Sequence, residues 1–204
     1  SAGGAAVDYT FQSYASKPGT MVGTATFPKT INTAGCGGNG DLSTHFPEFS
    51  TTAAEAANLH MLSWRGGVIA TTAAAKGLGN LGASALDCGP VVSTDPATGN
   101  TLVVSTLTHH KIFPQKTQNN TWSMGLAAAI PSIPAGFNHS VLFTVAPGGA
   151  TAGVYAWGDT IQEYHDTTRL PSVTLTDIGY YTDDGAYYYV WGGGGTHPPH
   201  DPEL

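Results

Sequence analysis

Charged residues are scarce in this chain: lysine and arginine together number 7, and aspartate and glutamate together number 14. They make up 10% of the sequence, against roughly a quarter in ordinary soluble domains. The formal net charge is −7, and so few cations cannot form the basic surface that nucleic acids require. The same shortage argues against binding to an anionic membrane. We therefore expect neither nucleic acid nor membrane as a partner.

Long apolar runs and cysteines are also few. The sequence has no uninterrupted apolar run of the length that a membrane span needs, so no transmembrane helix is predicted. Cys36 and Cys88 each lie beside glycine, and this even number predicts one disulfide, worth about 3–4 kcal/mol for a loop of about fifty residues. No ligand set at zinc-motif spacing accompanies them. His109 and His110 are consecutive and would point to opposite faces of a strand, so we predict no metal site and no cofactor.

Three features predict a secreted, extracellular protein. The chain begins at Ser1 without Met, as expected for a mature, processed N-terminus. Asn119-Asn120-Thr121 and Asn138-His139-Ser140 are acceptor triplets for N-glycosylation, and both flank turn-like segments. We therefore predict glycans on Asn119 and Asn138.

Glycine (27) and proline (13) are abundant, while 41% of the residues are hydrophobic. This combination favours many short strands joined by turns. The clearest hairpin joins Val91–Thr94 to Thr101–Leu107 through the turn segment Asp95–Asn100. Further strands are predicted over Val7–Gln12, Met21–Phe27, Val68–Thr72, Trp122–Ile130 and Val141–Val145. The predicted fold class is mainly β, with an antiparallel β-sandwich over residues 1–150.

The pattern changes after the sandwich region. From Thr151, apolar side chains recur every three or four residues up to Tyr164, which predicts an amphipathic helix with Trp157 packed against the core. Pro171 ends it, and Leu175–Tyr181 is predicted to be a strand. A second, shorter helix is expected within Thr52–Trp64. Residues 151–191 thus form a second region, followed by a Gly/Pro-rich tail over residues 192–204.

The segment Ile178–Trp191 has the densest concentration of aromatic and acidic side chains in the chain. It contains five of the nine tyrosines, one of the four tryptophans and two adjacent aspartates. A core strand does not need this mixture, because Tyr hydroxyls and Asp oxygens must find partners when buried. Aromatic rings that stack on sugar C–H faces, with carboxylates that accept from sugar hydroxyls, suit a carbohydrate partner. The predicted binding residues are Tyr181, Asp183, Asp184, Tyr188 and Trp191.

Three short segments, in this order and spacing, resemble segments found in a little-characterised group of secreted proteins. That group is similar to the α-galactosidase-like glycoside hydrolases. The three segments are Ser132-Ile-Pro-Ala-Gly-Phe137, Ala156-Trp157-Gly158-Asp159 and Ile178-Gly-Tyr-Tyr-Thr-Asp-Asp-Gly-Ala-Tyr-Tyr-Tyr189. In that group an N-terminal β-sandwich precedes a (β/α)₈ barrel. The resemblance implies that the strand predicted over Leu175–Tyr181 begins such a barrel, with Asp183 and Asp184 just past its C-terminal end, where barrel active sites lie.

The resemblance implies a part of a glycoside hydrolase-like protein rather than a complete enzyme. A barrel alone takes about 250 residues, so the catalytic carboxylates would lie outside this chain, for example on a C-terminal barrel chain. Relatives tend to have Asp-Asn where this chain has Asp183-Asp184. Adjacent residues on an extended strand point to opposite sides, so one of the two would contact sugar, in hydroxyl recognition rather than nucleophilic attack.

Other interpretations stay open at this point. Asp184-Gly185 between two aromatic runs is also a strong hairpin signal, which would make the segment a closing hairpin of the sandwich. The chain would then be a free-standing carbohydrate-binding module. Its low charge and small residues also suit a structural extracellular protein, such as a coat or filament subunit, which assembles with copies of itself.

Overall fold

The computed structural model describes residues 7–36, 41–65, 71–76, 89–118 and 120–178. The chain divides into two compact units, Ser1–Asp166 and Thr167–Leu204. The strands are β1 (Asp8–Ser13), β2 (Thr20–Thr26), β3 (Ile31–Asn32), β4 (Glu48–Ser50), β5 (His60–Arg65), β6 (Thr71–Lys76), β7 (Val91–Thr94), β8 (Thr101–Thr106), β9 (Gln115–Gln118), β10 (Thr121–Met124), β11 (Ser132–Ile133) and β12 (Asn138–Ala146). The helices are α1 (Ala53–Asn58), α2 (Gly149–Tyr164) and α3 (Val173–Thr176), and a 3₁₀ turn covers His110–Ile112.

The main sheet has seven strands in the order β1-β2-β12-β8-β7-β5-β6, and every neighbouring pair is antiparallel. A three-stranded sheet has the order β4-β10-β9, and β11 pairs with β3. The protein is therefore mainly β, with antiparallel sheets and one long helix, as expected for a β-sandwich.

The core lies where the three-stranded sheet packs on the main sheet. Phe49 of β4 meets Phe143 of β12, an interior strand of the main sheet, edge-on, with ring centroids 6.1 Å apart. Trp122 and Met124 of β10 belong to the same buried cluster. The other members are Ala25, Phe27, Met61, Val91, Val104, Phe113, Leu126, Ile133, Val141 and Phe143. Strand β12 is buried almost throughout, because α2 packs against β12, β8 and β7 of the same sheet.

The helix predicted after the sandwich is confirmed, and Trp157 and Gly153 on it both contact β8. It begins at Gly149, after Gly148 in the left-handed conformation, instead of being capped by Thr151. The expected packing role of Trp157 is also confirmed, because its indole N–H donates a 2.8 Å hydrogen bond to Ser105 Oγ on β8. Gly153 is buried against Thr101 of β8.

The predicted hairpin is confirmed. Strands β7 and β8 pair with Thr94 opposite Thr101, and the Asp95 carboxylate accepts from the backbone N–H of Ala97 and the hydroxyl of Thr98. This Asx-type turn holds the pKa of Asp95 below its usual value. The strands predicted from Val7, Met21 and Val141 correspond to β1, β2 and β12. Of the strand predicted over Val68–Thr72, only Thr71 and Thr72 are described, and they begin β6.

The strand predicted over Trp122–Ile130 is too long. Strand β10 ends at Met124, where Gly125 crosses Thr44 so closely that a Cβ atom would lie 1.7 Å from the Thr44 carbonyl oxygen. The chain leaves the sheet at this crossing.

The helix expected within Thr52–Trp64 is only six residues long, and β5 follows it at once. Thr52 and Glu55 form a capping box: Thr52 N–H donates to the Glu55 carboxylate, and Glu55 N–H donates to Thr52 Oγ1. The cap starts the helix, but the pairing of β5 with β6 and β7 takes the following residues into the main sheet.

The strand predicted over Leu175–Tyr181 is wrong at its start. Val173–Thr176 forms the short helix α3, in which Leu175 N–H donates to the Ser172 carbonyl and Asp177 N–H to the Val173 carbonyl. The alternation of β-branched residues here favours a strand, but Ser172 occupies the N-cap position, where serine is favoured, and a short helix forms instead. The rest of that prediction, from residue 179 onward, lies outside the described residues.

Candidate functional site

The carbohydrate-binding residues predicted from the sequence lie outside the part of the chain that the structure describes. These are Tyr181, Asp183, Asp184, Tyr188 and Trp191. Ile178, the first residue of their segment, is fully exposed at the end of the described region. The five residues stay a prediction from the sequence.

One of the two predicted glycosylation sites is described. Asn138 is exposed at the first position of β12, directly after the turn that contains Gly136. Ser140 of the same triplet is buried, and its hydroxyl lies 2.9 Å from Thr24 Oγ1 on β2. Asn119 lies outside the described residues, and glycosylation at both positions stays a prediction.

The structure describes one of the two cysteines. Cys36 is exposed and free among the described residues, whereas Cys88 lies outside them. The Cys36–Cys88 disulfide therefore stays a prediction.

An apolar cleft between the two sheets is one feature that the described residues offer to a ligand. Its inner part has a volume of about 210 Å³ and is bounded by Met61, Val104 and Trp122. Its outer part, about 480 Å³, is bounded by Phe11, Phe46 and Val145, among others. Phe49 and Leu102 line both parts, so the two adjoin, and Phe11 of β1 borders the outer one. We call this the inter-sheet cleft.

Aromatic packing builds the inner wall of the inter-sheet cleft. Phe49 lies opposite Trp122 in the β4–β10 pair, and the two rings stack with centroids 5.4 Å apart. The Trp122 indole N–H donates a 2.9 Å bond to Gln115 Oε1, which satisfies its only side-chain donor inside the core. This bond fixes the ring that supports Phe49.

The outer wall is aromatic because side chains alternate between the two faces of β1, and one face carries aromatic rings. Tyr9 and Phe11 are two residues apart, so they lie on the same side of β1, and both pack against Phe46, with ring centroids 4.7 and 6.0 Å away. Both stay half exposed, Phe11 at 55%. Strand β1 is the edge of the main sheet, which leaves these rings open to solvent.

Polar groups are few along the inter-sheet cleft. Glu48 is the one carboxylate among the described residues that line it, and its Oε2 lies 3.2 Å from Nδ1 of exposed His45. Glycoside hydrolysis normally needs two carboxyl groups on opposite sides of the bond that is broken. This lining can hold an apolar face of a ligand and contact a hydroxyl, but it does not contain that pair.

A group of histidines lies at the other end of β8. His139 is 1% exposed, and its ring stacks on Phe113 with centroids 3.3 Å apart. Burial, with a smaller effect of the nearby His109, lowers the pKa of His139 to about 3. His109 packs against Phe137, whereas His110 faces His165 at the end of α2, with centroids 6.0 Å apart. The two consecutive histidines thus do face different neighbours, as the sequence indicated.

Sequence reasoning missed the inter-sheet cleft. Its rings come from β1, from β4 and the segment before it, and from β10 and β12, which are far apart in the chain. The available signal was local: alternating Tyr9 and Phe11, and the pair Phe46 and Phe49 around Pro47-Glu48. Nothing in that signal shows that the two segments meet.

Comparison with known proteins gives no relative. No family model matches the chain, and no curated protein or solved structure matches it significantly. None of the helices among the described residues is both long and apolar enough to cross a membrane.

Proposed function

We propose that the chain is part of a secreted, glycoside hydrolase-like protein and that it binds carbohydrate. The observation that carries this proposal is the composition of Ile178–Trp191, where tyrosines flank the adjacent carboxylates Asp183 and Asp184. The segment follows a mainly β region and a helix, which is the order that the sequence resemblance implies. Catalytic carboxylates would then come from residues outside this chain, on a (β/α)₈ barrel.

Sugar recognition gives each residue type a distinct task. Tyr181, Tyr188 and Trp191 would stack on the C–H faces of pyranose rings, a contact that needs flat, accessible aromatic surface. Asp183 or Asp184 would accept hydrogen bonds from ring hydroxyls, and charge-assisted bonds of this kind are stronger than neutral ones. Because the two aspartates are adjacent, we expect one of them to carry most of the binding.

The inter-sheet cleft supports the same proposal. Phe11 and Phe49 present partly exposed rings on either side of it, and Glu48 offers a carboxylate at its rim. One carboxylate on an apolar wall suits binding better than hydrolysis. The cleft would serve as a separate, weaker contact for sugar, since it has fewer polar groups than the aromatic segment.

A structural extracellular role is the second candidate, and strand β1 favours it. All six of its residues are exposed, and its outer edge has no neighbour in the described sheet. An open edge with exposed Tyr9 and Phe11 is a template for pairing with another copy. A coat or filament subunit would use such an edge for assembly.

The proposal is tested by screening the whole chain against a panel of immobilised glycans. We expect retention of at least one glycan class, without release of sugar by this chain alone. Asp183→Asn and Asp184→Asn are measured separately, and we expect one of them to weaken retention by about tenfold or more, because a charge-assisted bond contributes about 1.5–3 kcal/mol. Absence of retention for every glycan, with the chain folded, would refute carbohydrate binding.

A further inference from the structure

The pair His110 and His165 joins two elements that are far apart in the chain. His110 lies in the 3₁₀ turn after β8, and His165 is the residue that caps the C-terminus of α2. Their ring centroids are 6.0 Å apart, and both side chains are accessible to solvent. Neither takes part in the carbohydrate site proposed above.

Although the sequence alone predicted no metal site, we propose that His110 and His165 together bind one divalent transition-metal ion of the zinc type. A ring nitrogen lies about 2.0–2.1 Å from Zn²⁺, so two imidazoles on one tetrahedral ion have centroids about 5.3 Å apart. The observed 6.0 Å is slightly longer, so the exposed His165 ring would have to rotate to bring its nitrogen within range of the shared ion. Water would fill the remaining positions, because the described residues contain no group of three or more His, Cys, Asp or Glu suited to a metal.

The surroundings of His110 prepare it for this role. Nδ1 of His110 lies 2.8 Å from the hydroxyl oxygen of Thr106, a buried residue at the end of β8. With Nδ1–H donating to that oxygen, Nε2 carries the lone pair that a metal requires, the arrangement usual for metal-binding histidines. Partial burial, and then the nearby His165 and His109, lower the pKa of His110, which favours the neutral ligand form.

The position of His165 at the C-terminus of α2 also favours a bound cation. The carbonyl ends of a helix carry a partial negative charge, which favours a cation at its C-terminus. His165 N–H donates to the Ile161 carbonyl, so the residue is held to the last turn of α2. An ion shared with His110 would tie this end of the helix to the main sheet.

The test is a Zn²⁺ titration of the whole chain, followed through the imidazole signals in NMR spectra. All proteins carry His197→Gln and His200→Gln, because the sequence pair His197-Pro-Pro-His200 could chelate metal by itself. We expect saturable binding of one Zn²⁺, with shifts at His110 and His165. Removing either ring, by His110→Ala or His165→Ala, should weaken binding by tenfold or more.

Two further variants distinguish a specific site at His110 and His165 from non-specific binding of Zn²⁺ to exposed histidines. Thr106→Val keeps both rings but removes the hydroxyl that orients His110, and we expect a loss of about 10-fold or more, as for other partners of metal ligands. His60→Ala removes an exposed histidine of β5 and should leave the affinity unchanged. Equal affinity in the parent and in the His110→Ala and His165→Ala proteins, or no saturable binding at all, would overturn the proposal.

Discussion

His139 is a buried imidazole whose ring nitrogens find no hydrogen bond of normal geometry within the described part of the chain. It borders a small cavity of about 30 Å³, together with Tyr9 and Thr44. The nearby Thr108 backbone favours the charged form, but burial outweighs it, and the pKa falls to about 3. The ring is therefore neutral in the folded protein at any pH above that value, whereas in the unfolded chain it ionises near 6.5.

The free energy of unfolding should depend on pH through His139. Between pH 6.5 and about 3 the unfolded chain binds a proton there that the folded protein does not, so stability rises with pH across this window. The slope approaches about 1.4 kcal/mol per pH unit near the middle of this window, where the unfolded chain is protonated at this residue and the folded protein is not. We expect His139→Leu to flatten the curve between pH 5 and 6.5 in urea unfolding experiments.

The exposed His60 provides the control for this prediction. His60→Leu should leave the slope of the parent protein intact, because no buried imidazole is removed. The lowered pKa of His110 adds to the slope in the same range, and His139→Leu leaves that part in place. The lowered pKa values of Glu55, Asp95 and Glu163 also make the fold less stable in acid, but near and below pH 4.5, outside the range compared. An unchanged slope in His139→Leu would contradict the assignment.

Among the elements, the packing of α2 on the main sheet depends on Gly153 having no side chain. A Cβ atom on Gly153 would lie 2.6 Å from Cγ2 of Thr101 and 3.3 Å from Cγ2 of Val103. On the same helix, a Cβ atom on Gly158 would have no described neighbour within 4 Å. The two glycines thus differ in their surroundings while sharing one helix.

Gly153→Ala and Gly158→Ala should change stability in opposite directions. Alanine favours a helix over glycine by about 0.8–1 kcal/mol, so Gly158→Ala should be stabilising. At Gly153 the same gain is opposed by overpacking, which typically costs about 1–3 kcal/mol, so that variant should be less stable than the parent. Thermal unfolding of both variants checks the prediction, and stabilisation of Gly153→Ala would show that α2 is not pressed against β8.

Local patterns predicted some elements and could not predict others. The repeat of Val154, Trp157, Ile161 and Tyr164 identified α2, and the turn from Asp95 identified the β7–β8 hairpin. Strand β5 was missed because Thr52 and Glu55 cap a helix just before it, and only long-range pairing extends the next residues. In the same way, the inter-sheet cleft depends on β1 meeting the segment before β4, which no local spacing encodes.

For the whole molecule, a change at the exposed edge of β1 distinguishes a binding module from a subunit that assembles with copies of itself. Tyr9→Lys places a charge on the open edge strand, which opposes edge-to-edge pairing. If the chain is a coat or filament subunit, sedimentation should show concentration-dependent assembly that this change reduces. For the carbohydrate-binding role we expect a monomer whose sedimentation does not change with concentration or with Tyr9→Lys.

Carbohydrate recognition by Ile178–Trp191 can be tested by comparing three proteins. Binding of the best-retained glycan is measured by calorimetry for the whole chain, for Tyr188→Ala and for Tyr155→Ala. Tyr155 is a matched control, since it is 71% exposed on α2 and lies outside the aromatic segment. We predict that Tyr188→Ala weakens binding at least tenfold with unfolding unchanged, while Tyr155→Ala binds like the parent. Equal glycan affinity in all three proteins would contradict recognition by this segment.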